Sequence, residues 1–292
     1  MMSISKIGSL DPTNLEDLKH AFAVLHKPRN FKKYGQNFLI DARARDEIIA
    51  AARLNRSDQV LEIGCGSGVL TQQLVQHAGH VTALDIDPYL LEVTRLACAD
   101  AKNLDLRLED VRKINLPKLF CERGITDYKL VSNVPYYLTG YLLELFLSSP
   151  CPPSLSVLTI QKEVADRVLA KPGDYTLLTV SVQVFGSAKL VQTISRRSFW
   201  PQPNVDSAVI TLERHAKPLI APTEQKKFFR VVKAGFSARR KKLSNALAGG
   251  LRLDVSAAQT ALKAADLPPK ARAQELTIQK WAELSQKIEF ST

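Results

Sequence analysis

Short runs of β-branched and apolar residues alternate with helical patterns through the first two thirds of the chain. Gln59–Ile63, Val81–Leu84, Asp105–Leu108, Lys129–Ser132 and Ser156–Gln161 read as strands, with amphipathic stretches such as Val69–His77 and Pro88–Ala99 between them. Strands spaced by helices in this way predict an α/β fold built on a parallel sheet. Leu177–Val184 and Ser207–Leu212 alternate with period two, which predicts an antiparallel pair at the sheet edge. Beyond them the spacing changes. Phe228, Val231 and Val232, then Leu243 and Leu247, recur at helical intervals with few strand-forming runs, so a small helical domain is expected there. Pro218 and Pro222 punctuate Arg214–Thr223, which reads as a linker. At the other end, Leu15, Leu18, Phe22 and Leu25 share one face of a short helix. The expected organisation is residues 1–26 as an extension without an assigned role, 27–216 as the α/β domain and 217–292 as a basic helical domain.

Composition sharpens this picture at one point, the charge. With 292 residues, 45% of them hydrophobic, the chain is too long and too apolar for a disordered tail. It carries 40 Lys and Arg against 29 Asp and Glu, a formal charge of +11. Residues 217–292 hold 15 of those basic residues and 6 of the acidic ones, a surplus of 9, so the helical part is the basic part. Such a balance points to a nucleic acid or an anionic surface as partner. No uncharged apolar run approaches the roughly 18 residues of a membrane span; the best stretch, Leu138–Leu147, is broken by Thr139, Gly140 and Glu144. Asp11, Glu16 and Asp17, with no Arg before Arg29, argue against a targeting segment, and a cytoplasmic protein is expected. Cys65, Cys98, Cys121 and Cys151 lie far apart, without a CxxC pair or clustered His, so reduced thiols and no metal site are expected.

Val60-Leu61-Glu62-Ile63-Gly64-Cys65-Gly66-Ser67-Gly68 is a strand entering a glycine-rich turn ahead of a helix. Glycines permit a sharp turn and close backbone approach to a ligand at the carboxyl edge of the sheet, although a tight βα turn alone also uses them. The dinucleotide fingerprint G-x-G-x-x-G needs glycine where Val69 stands, so the pattern is G-x-G-x-G. Asp85 ends the next strand, where a carboxylate can accept hydrogen bonds from both hydroxyls of a ribose. This combination resembles the S-adenosylmethionine site of Rossmann-like methyltransferases. The resemblance also makes Asp110, in Glu109-Asp110-Val111, the partner of the cofactor's adenine amino group; by itself Asp110 reads as a solvated loop carboxylate.

After the fourth strand comes Asn133-Val134-Pro135-Tyr136-Tyr137. Asn-x-Pro alone is a turn signal, but here it stands at the strand end beside the glycine turn. An exocyclic amino group on a base is a poor nucleophile because its lone pair is delocalised. The Asn133 side-chain oxygen and the Pro135 carbonyl can each accept a hydrogen from that nitrogen and turn its lone pair toward a methyl sulfonium, without a strong base. Tyr136 offers a face on which a base taken out of its own stack can rest. The gain then comes mostly from positioning for in-line displacement. Tyr137 is equally readable as a core residue.

Three further segments narrow the class. Lys32-Lys33-Tyr34-Gly35-Gln36-Asn37-Phe38-Leu39 resembles the (K/R)-x-x-G-Q-N-F-L segment of the rRNA adenine N6-dimethyltransferases, Gln161-Lys162-Glu163-Val164-Ala165-Asp166-Arg167 their Q-K-E-V-A-x-R helix, and Phe199–Val209 their F-x-P-x-P-x-V-D-S-A-V stretch. Together these cover about Asn30 to Glu213, and Arg239–Leu247 adds a likeness to the family's R-R-K-x-L-x-N-x-L helix. The nearest members are those acting on the small ribosomal subunit. The resemblance implies a Rossmann-like S-adenosylmethionine-dependent methyltransferase sheet with a small C-terminal helical domain. It implies Asn37, Leu39, Gly64, Gly66, Asp85, Asp110 and Asn133 as the cofactor site and Asn133, Pro135 and Tyr136 as the catalytic set. It implies dimethylation of two adjacent adenosines in the terminal hairpin of 16S rRNA, in the small subunit or its precursor. Cys65, Asp85 and Val134 stand where Pro, Glu and Leu are commoner in the family, and none of the three removes a hydrogen-bonding function.

Lys27, Arg29, Lys32 and Lys33, then Arg196 and Arg197, then Arg239–Lys242 form basic clusters suited to phosphates, though each alone is also an ordinary solvated face. The competing readings are a 23S rRNA adenine methyltransferase of the macrolide-resistance type and a noncatalytic ribosome-assembly or RNA-binding factor. Nothing in the sequence requires more than a monomer.

Overall fold

The computed structural model describes residues 10–25, 35–147, 149–238 and 240–289. Its strands are β1 (Phe38–Leu39), β2 (Gln59–Ile63), β3 (His80–Asp85), β4 (Leu104–Leu108), β5 (Lys129–Asn133), β6 (Leu155–Gln161), β7 (Gly186–Ile194), β8 (Phe199–Trp200) and β9 (Ser207–Arg214). Its helices are α1 (Leu15–Val24), α2 (Ala42–Ala52), α3 (Thr71–His77), α4 (Pro88–Ala97), α5 (Leu116–Leu119), α6 (Thr139–Leu147), α7 (Lys162–Val168), α8 (Leu177–Gln183), α9 (Gln225–Phe236), α10 (Leu243–Leu251), α11 (Val255–Ala264) and α12 (Ile278–Lys287). All five strands expected for the parallel sheet are present, displaced by a residue or less.

They assemble in the order β4-β3-β2-β5-β6-β9-β7. β2 pairs in parallel with β3 and β5, β3 with β4, and β5 with β6. The chain reverses at β2, with β3 on one side and β5 on the other, and such a switch point opens a crevice at the carboxyl ends of the strands. β9 runs antiparallel to β6, with Gln161 opposite Ser207. The central strands are apolar on both faces: Val60, Leu61, Val81, Ala83, Val131 and Val157 are all buried, as a sheet covered on both sides requires. Starts of helices are set locally: Asp41 accepts from the Ala44 amide and caps α2, and Asp87 accepts from Tyr89 with Pro88 at the first helical position of α4.

Two compact units emerge. One runs to Ala165 and resumes over Lys189–Glu213; the other takes Asp166–Ala188 and the chain from Arg214 onward. The boundary expected at 216/217 therefore differs from the contact pattern, because 166–188 goes with the helices. The expected strand at Leu177–Val184 is the reason. Its alternation predicts a strand, but Leu177–Gln183 is a helix, and the strand beside β9 is β7. Thr176 and Thr179 form a reciprocal cap at its start, and Val180 is buried in the core of the helical unit. Capping and burial outweigh the strand preference of β-branched residues.

The helical unit packs Phe228, Val231 and Val232 of α9 with Leu243 and Leu247 of α10 around Trp281 of α12. Ile220, in the expected linker, is buried in that same core. Among the described residues no helix is long and apolar enough to cross a membrane.

One cysteine expectation is corrected. Cys121 and Cys151 are joined in a disulfide, 30 residues apart in sequence, with Cα atoms 6.2 Å apart. Tyr128 draws the two segments together, because its hydroxyl donates to the Cys151 carbonyl at 2.9 Å. Its ring stacks on Phe120, centroids 3.9 Å apart. Cys65 and Cys98 are free and buried.

Candidate active site

The carboxyl ends of β2, β3 and β5 frame a cleft enclosing about 990 Å³, its open mouth included. Gly64–Ser67, from the turn that Gly68 closes, form its floor. The Gly64 and Cys65 amides both donate to the Leu84 carbonyl, at 2.8 and 3.1 Å, which pins the turn to β3. Gly66 has φ +59° and Gly68 +80°, backbone that side chains adopt only with strain. At Gly68 space is also short: a Cβ there would lie 3.1 Å from Ala97 Cβ and 3.2 Å from Thr94 Cα, so α4 crosses directly over the turn.

Asp85 closes the floor. It is 8% exposed. Its two oxygens accept from the Gly66 and Asp87 amides, each at 3.0 Å. Burial pushes its pKa up to about 6, against the opposing pull of those backbone bonds. Glu62 lies deeper, 1% exposed, and accepts from the Thr71 hydroxyl at 2.6 Å. Burial, helped by the Asp85 charge, raises it to about 8, so at neutral pH it is a neutral acid. In the sequence Glu62 is one residue of a strand, and no local pattern distinguishes a carboxyl buried in this way.

Asp110 reaches the cleft from the turn after β4. Arg112 grips its carboxylate through Nε and Nη2 at distances of 2.6–3.0 Å, and the Arg112 amide also donates to it. These bonds hold the Asp110 carboxyl below the usual carboxylate range.

Asn133 ends β5, and its Nδ2 donates to the Asn37 carbonyl at 3.2 Å, leaving Oδ1 as the acceptor. The Pro135 carbonyl accepts from the Leu138 amide at 2.8 Å and keeps a second lone pair. The Tyr136 hydroxyl is paired with Ser207 Oγ at 2.7 Å. Burial raises this phenol, so it remains protonated. Ser207 starts β9 and is fully buried. The Val-Asp-Ser segment flags Ser207 in sequence, but its bond to a tyrosine 71 residues away is visible only in the fold. Tyr137, equally readable from sequence as a core residue, is 58% exposed and lies at the rim.

Asn37, Leu39, Gly64, Gly66, Asp85, Asp110, Asn133, Pro135 and Tyr136 all line this one cleft. The basic clusters are less complete. Arg196, Arg197, Arg240, Lys241 and Lys242 are exposed. Lys27, Arg29, Lys32, Lys33 and Arg239 lie outside the described residues.

Comparison with known proteins adds three kinds of likeness. The chain matches the ribosomal RNA adenine dimethylase family over residues 28–289. It is 39% identical over 264 residues to the ribosomal RNA small subunit methyltransferase A of Geobacillus thermodenitrificans, covering 88% of this chain and 90% of that one. The protein of that name from Dehalococcoides mccartyi is 36% identical over 253 residues, covering 87% and 86%. Among solved structures, a dimethyladenosine transferase from Plasmodium falciparum aligns with a TM-score of 0.72 at 27% identity, over 84% of this chain and 94% of its own. The 23S rRNA methyltransferase ErmE aligns with a TM-score of 0.70 at 25% identity, over 86% and 99%.

Proposed function

The chain belongs to the ribosomal RNA adenine dimethylase family, and on that premise we propose that it methylates the N6 amino groups of two adjacent adenosines in the 3′-terminal hairpin of 16S rRNA. The substrate in this reading is the small subunit or its precursor, in the cytoplasm. As a family member the chain is an S-adenosylmethionine-dependent rRNA adenine dimethyltransferase, and its cofactor supplies, when bound, an electrophilic methyl on a sulfonium.

The residues present suit that cofactor. Asp85 offers carboxylate oxygens suited to ribose hydroxyls, and Asp110 is suited to the adenine amino group. Gln36 and Ser67, both in the cleft wall, carry buried polar atoms with no partner among the described residues, and such atoms call for a polar ligand. Phe38, Leu39 and Ile86 give the cleft apolar walls.

For the transfer, Asn133 Oδ1 and the Pro135 carbonyl accept the hydrogens of the target amino group and orient its lone pair. Tyr136, its hydroxyl anchored on Ser207, presents a ring of fixed orientation for the extruded base. No protein group has to be a strong base, because the amine sheds its proton after methyl transfer.

The observation that carries this reading is the convergence of Asn133, Pro135 and Tyr136 on the cleft lined by Gly64–Ser67 and Asp85. The small-subunit substrate is supported by relatives of that name at 36% and 39% identity. The test is transfer of labelled methyl from S-adenosylmethionine to small-subunit particles lacking the modification, followed by nucleoside analysis. N6,N6-dimethyladenosine in 16S rRNA is expected. Label in 23S rRNA would overturn the substrate, and no transfer despite binding of cofactor and RNA would overturn the catalytic reading.

A further inference from the structure

The family match begins at residue 28, yet residues 10–25 ahead of it are built into the first unit. Asn14 caps α1 by accepting from the Glu16 and Asp17 amides. The inner face of α1, Leu18, Ala21 and Phe22, is buried together with Leu10 against Phe38, Leu90, Val93 and Ala97. Phe22 stands 5.2 Å from Phe38 and 6.1 Å from Trp200, centroid to centroid. Phe38 and Trp200 are themselves partners across the β1–β8 pair. Gln72 Nε2 reaches the Leu10 carbonyl at 3.3 Å and the Ala97 carbonyl at 3.1 Å, tying this segment to α3 and α4.

The groups under α1 are the ones that shape the cleft. Phe38 lies between Asn37 and Leu39, and all three line it. A Cβ at Gly66 would sit 3.6 Å from the Phe38 ring, so that ring borders the glycine turn. On α4, Leu90 lines the cleft, Ala97 packs against Gly68, and the Thr94 hydroxyl donates to the Gly66 carbonyl at 3.2 Å. No residue of α1 lines the cleft itself.

We propose that residues 10–25 are a positioning element for the cofactor cleft, with Phe22 seating Phe38 and α4 so that the Gly35–Leu39 wall and the glycine turn are held ready for S-adenosylmethionine. The inference rests on the cleft being the S-adenosylmethionine site. Its consequence is a coupling between α1 and a ligand that α1 does not touch. Coupling of this kind is reciprocal, so the cofactor must stabilise α1 as much as α1 favours the cofactor.

The experiment uses the full chain, with S-adenosylmethionine binding measured by calorimetry and amide exchange followed by mass spectrometry. Phe22→Ala should raise the Kd by about tenfold, within the usual range of coupling between sites. It should speed exchange over residues 35–40, and Phe22→Leu should restore most of the affinity. Leu262→Ala, a cavity in the helical unit, should lower Tm and leave the Kd within about twofold, which separates positioning from loss of stability. In the unmodified chain, saturating cofactor should slow exchange over residues 15–24; this arm stands even if Phe22→Ala does not fold. A Phe22→Ala Kd within twofold of the original, or exchange in 15–24 indifferent to cofactor, overturns the inference alone. Absence of cofactor binding by the unmodified chain overturns the reading of the cleft and this inference with it.

Discussion

On the proposed reading of the cleft, in which the Asp85 carboxylate receives both ribose hydroxyls, cofactor affinity depends on pH. Burial holds its pKa at about 6, above the ordinary 3.8. In that reading hydrogen bonds from the two ribose hydroxyls would favour the charged form, so affinity is full well above pH 6 and is lost as pH falls through that value. Taking the bound-state pKa as below about 4, the fraction of free protein ready to bind drops roughly elevenfold between pH 7.5 and pH 5, about 1.4 kcal/mol. The effect on folding has the opposite sense. Between pH 3.8 and about 6 the native state binds more protons at Asp85 than the unfolded chain, so this group lowers stability as pH rises through that window. Weaker binding at pH 5 is therefore not a by-product of Asp85-linked unfolding. Asp85→Asn removes the titration and adds a mismatch, since both carboxylate oxygens accept backbone N–H groups and an amide can accept only one of them. Its affinity at pH 7.5 should fall by roughly 10- to 100-fold, the worth of a hydrogen bond to a charged group, and should not decline further at pH 5. Calorimetric titration with S-adenosylmethionine at both pH values, with circular dichroism to check the fold, reads all four numbers. An unmodified Kd constant within twofold from pH 7.5 to pH 5 would refute the reasoning.

Other consequences follow for the cleft and, separately, for the basic residues of the helical unit. Asn133→Ala should lower methyl transfer by roughly 100-fold or more, as loss of a transition-state hydrogen bond does, while leaving most of the cofactor affinity; single-turnover rates beside binding isotherms separate the two. Glu62, raised from 4.5 to about 8, should make the protein less stable as pH rises between those values, by up to about 1.4 kcal/mol per unit, and Glu62→Gln should flatten that slope in denaturant titrations. Gly68→Ala, which forces a methyl against α4 at positive φ, should cost about 1–3 kcal/mol and show as a lower midpoint in urea; an unchanged midpoint would mean α4 yields freely. Replacing Arg239, Arg240, Lys241 and Lys242 by Gln should weaken RNA binding and reduce its salt slope by up to about 3, with cofactor affinity unchanged, as measured by filter binding at several salt concentrations.

The parts of this protein written in local sequence are those governed by short-range physics. Alternating apolar runs and helical spacing specify β2 to β6 and the helices beside them, because pleat and helix period are properties of the segment itself. The glycine turn is legible because only glycine takes positive φ without strain. Asn133, Pro135 and Tyr136 stand out in sequence because the chemistry proposed for them is carried by neighbouring residues of one short motif. Tertiary structure decided what depends on neighbours remote in sequence. Leu177–Gln183 has a strand's alternation and became a helix once its caps and its place in the helical core were counted. Cys121 and Cys151 are far apart until Tyr128 joins their segments. Glu62 gains its raised pKa only through burial beneath the turn, Tyr136 its orientation from Ser207, and Phe38 its support from an α1 that shares no motif with it. Local periodicity fixes what β2 to β6 become, whereas proximity, desolvation and hydrogen-bond partnership arise only after distant segments pack, and the environment of the cleft's side chains is set by those three.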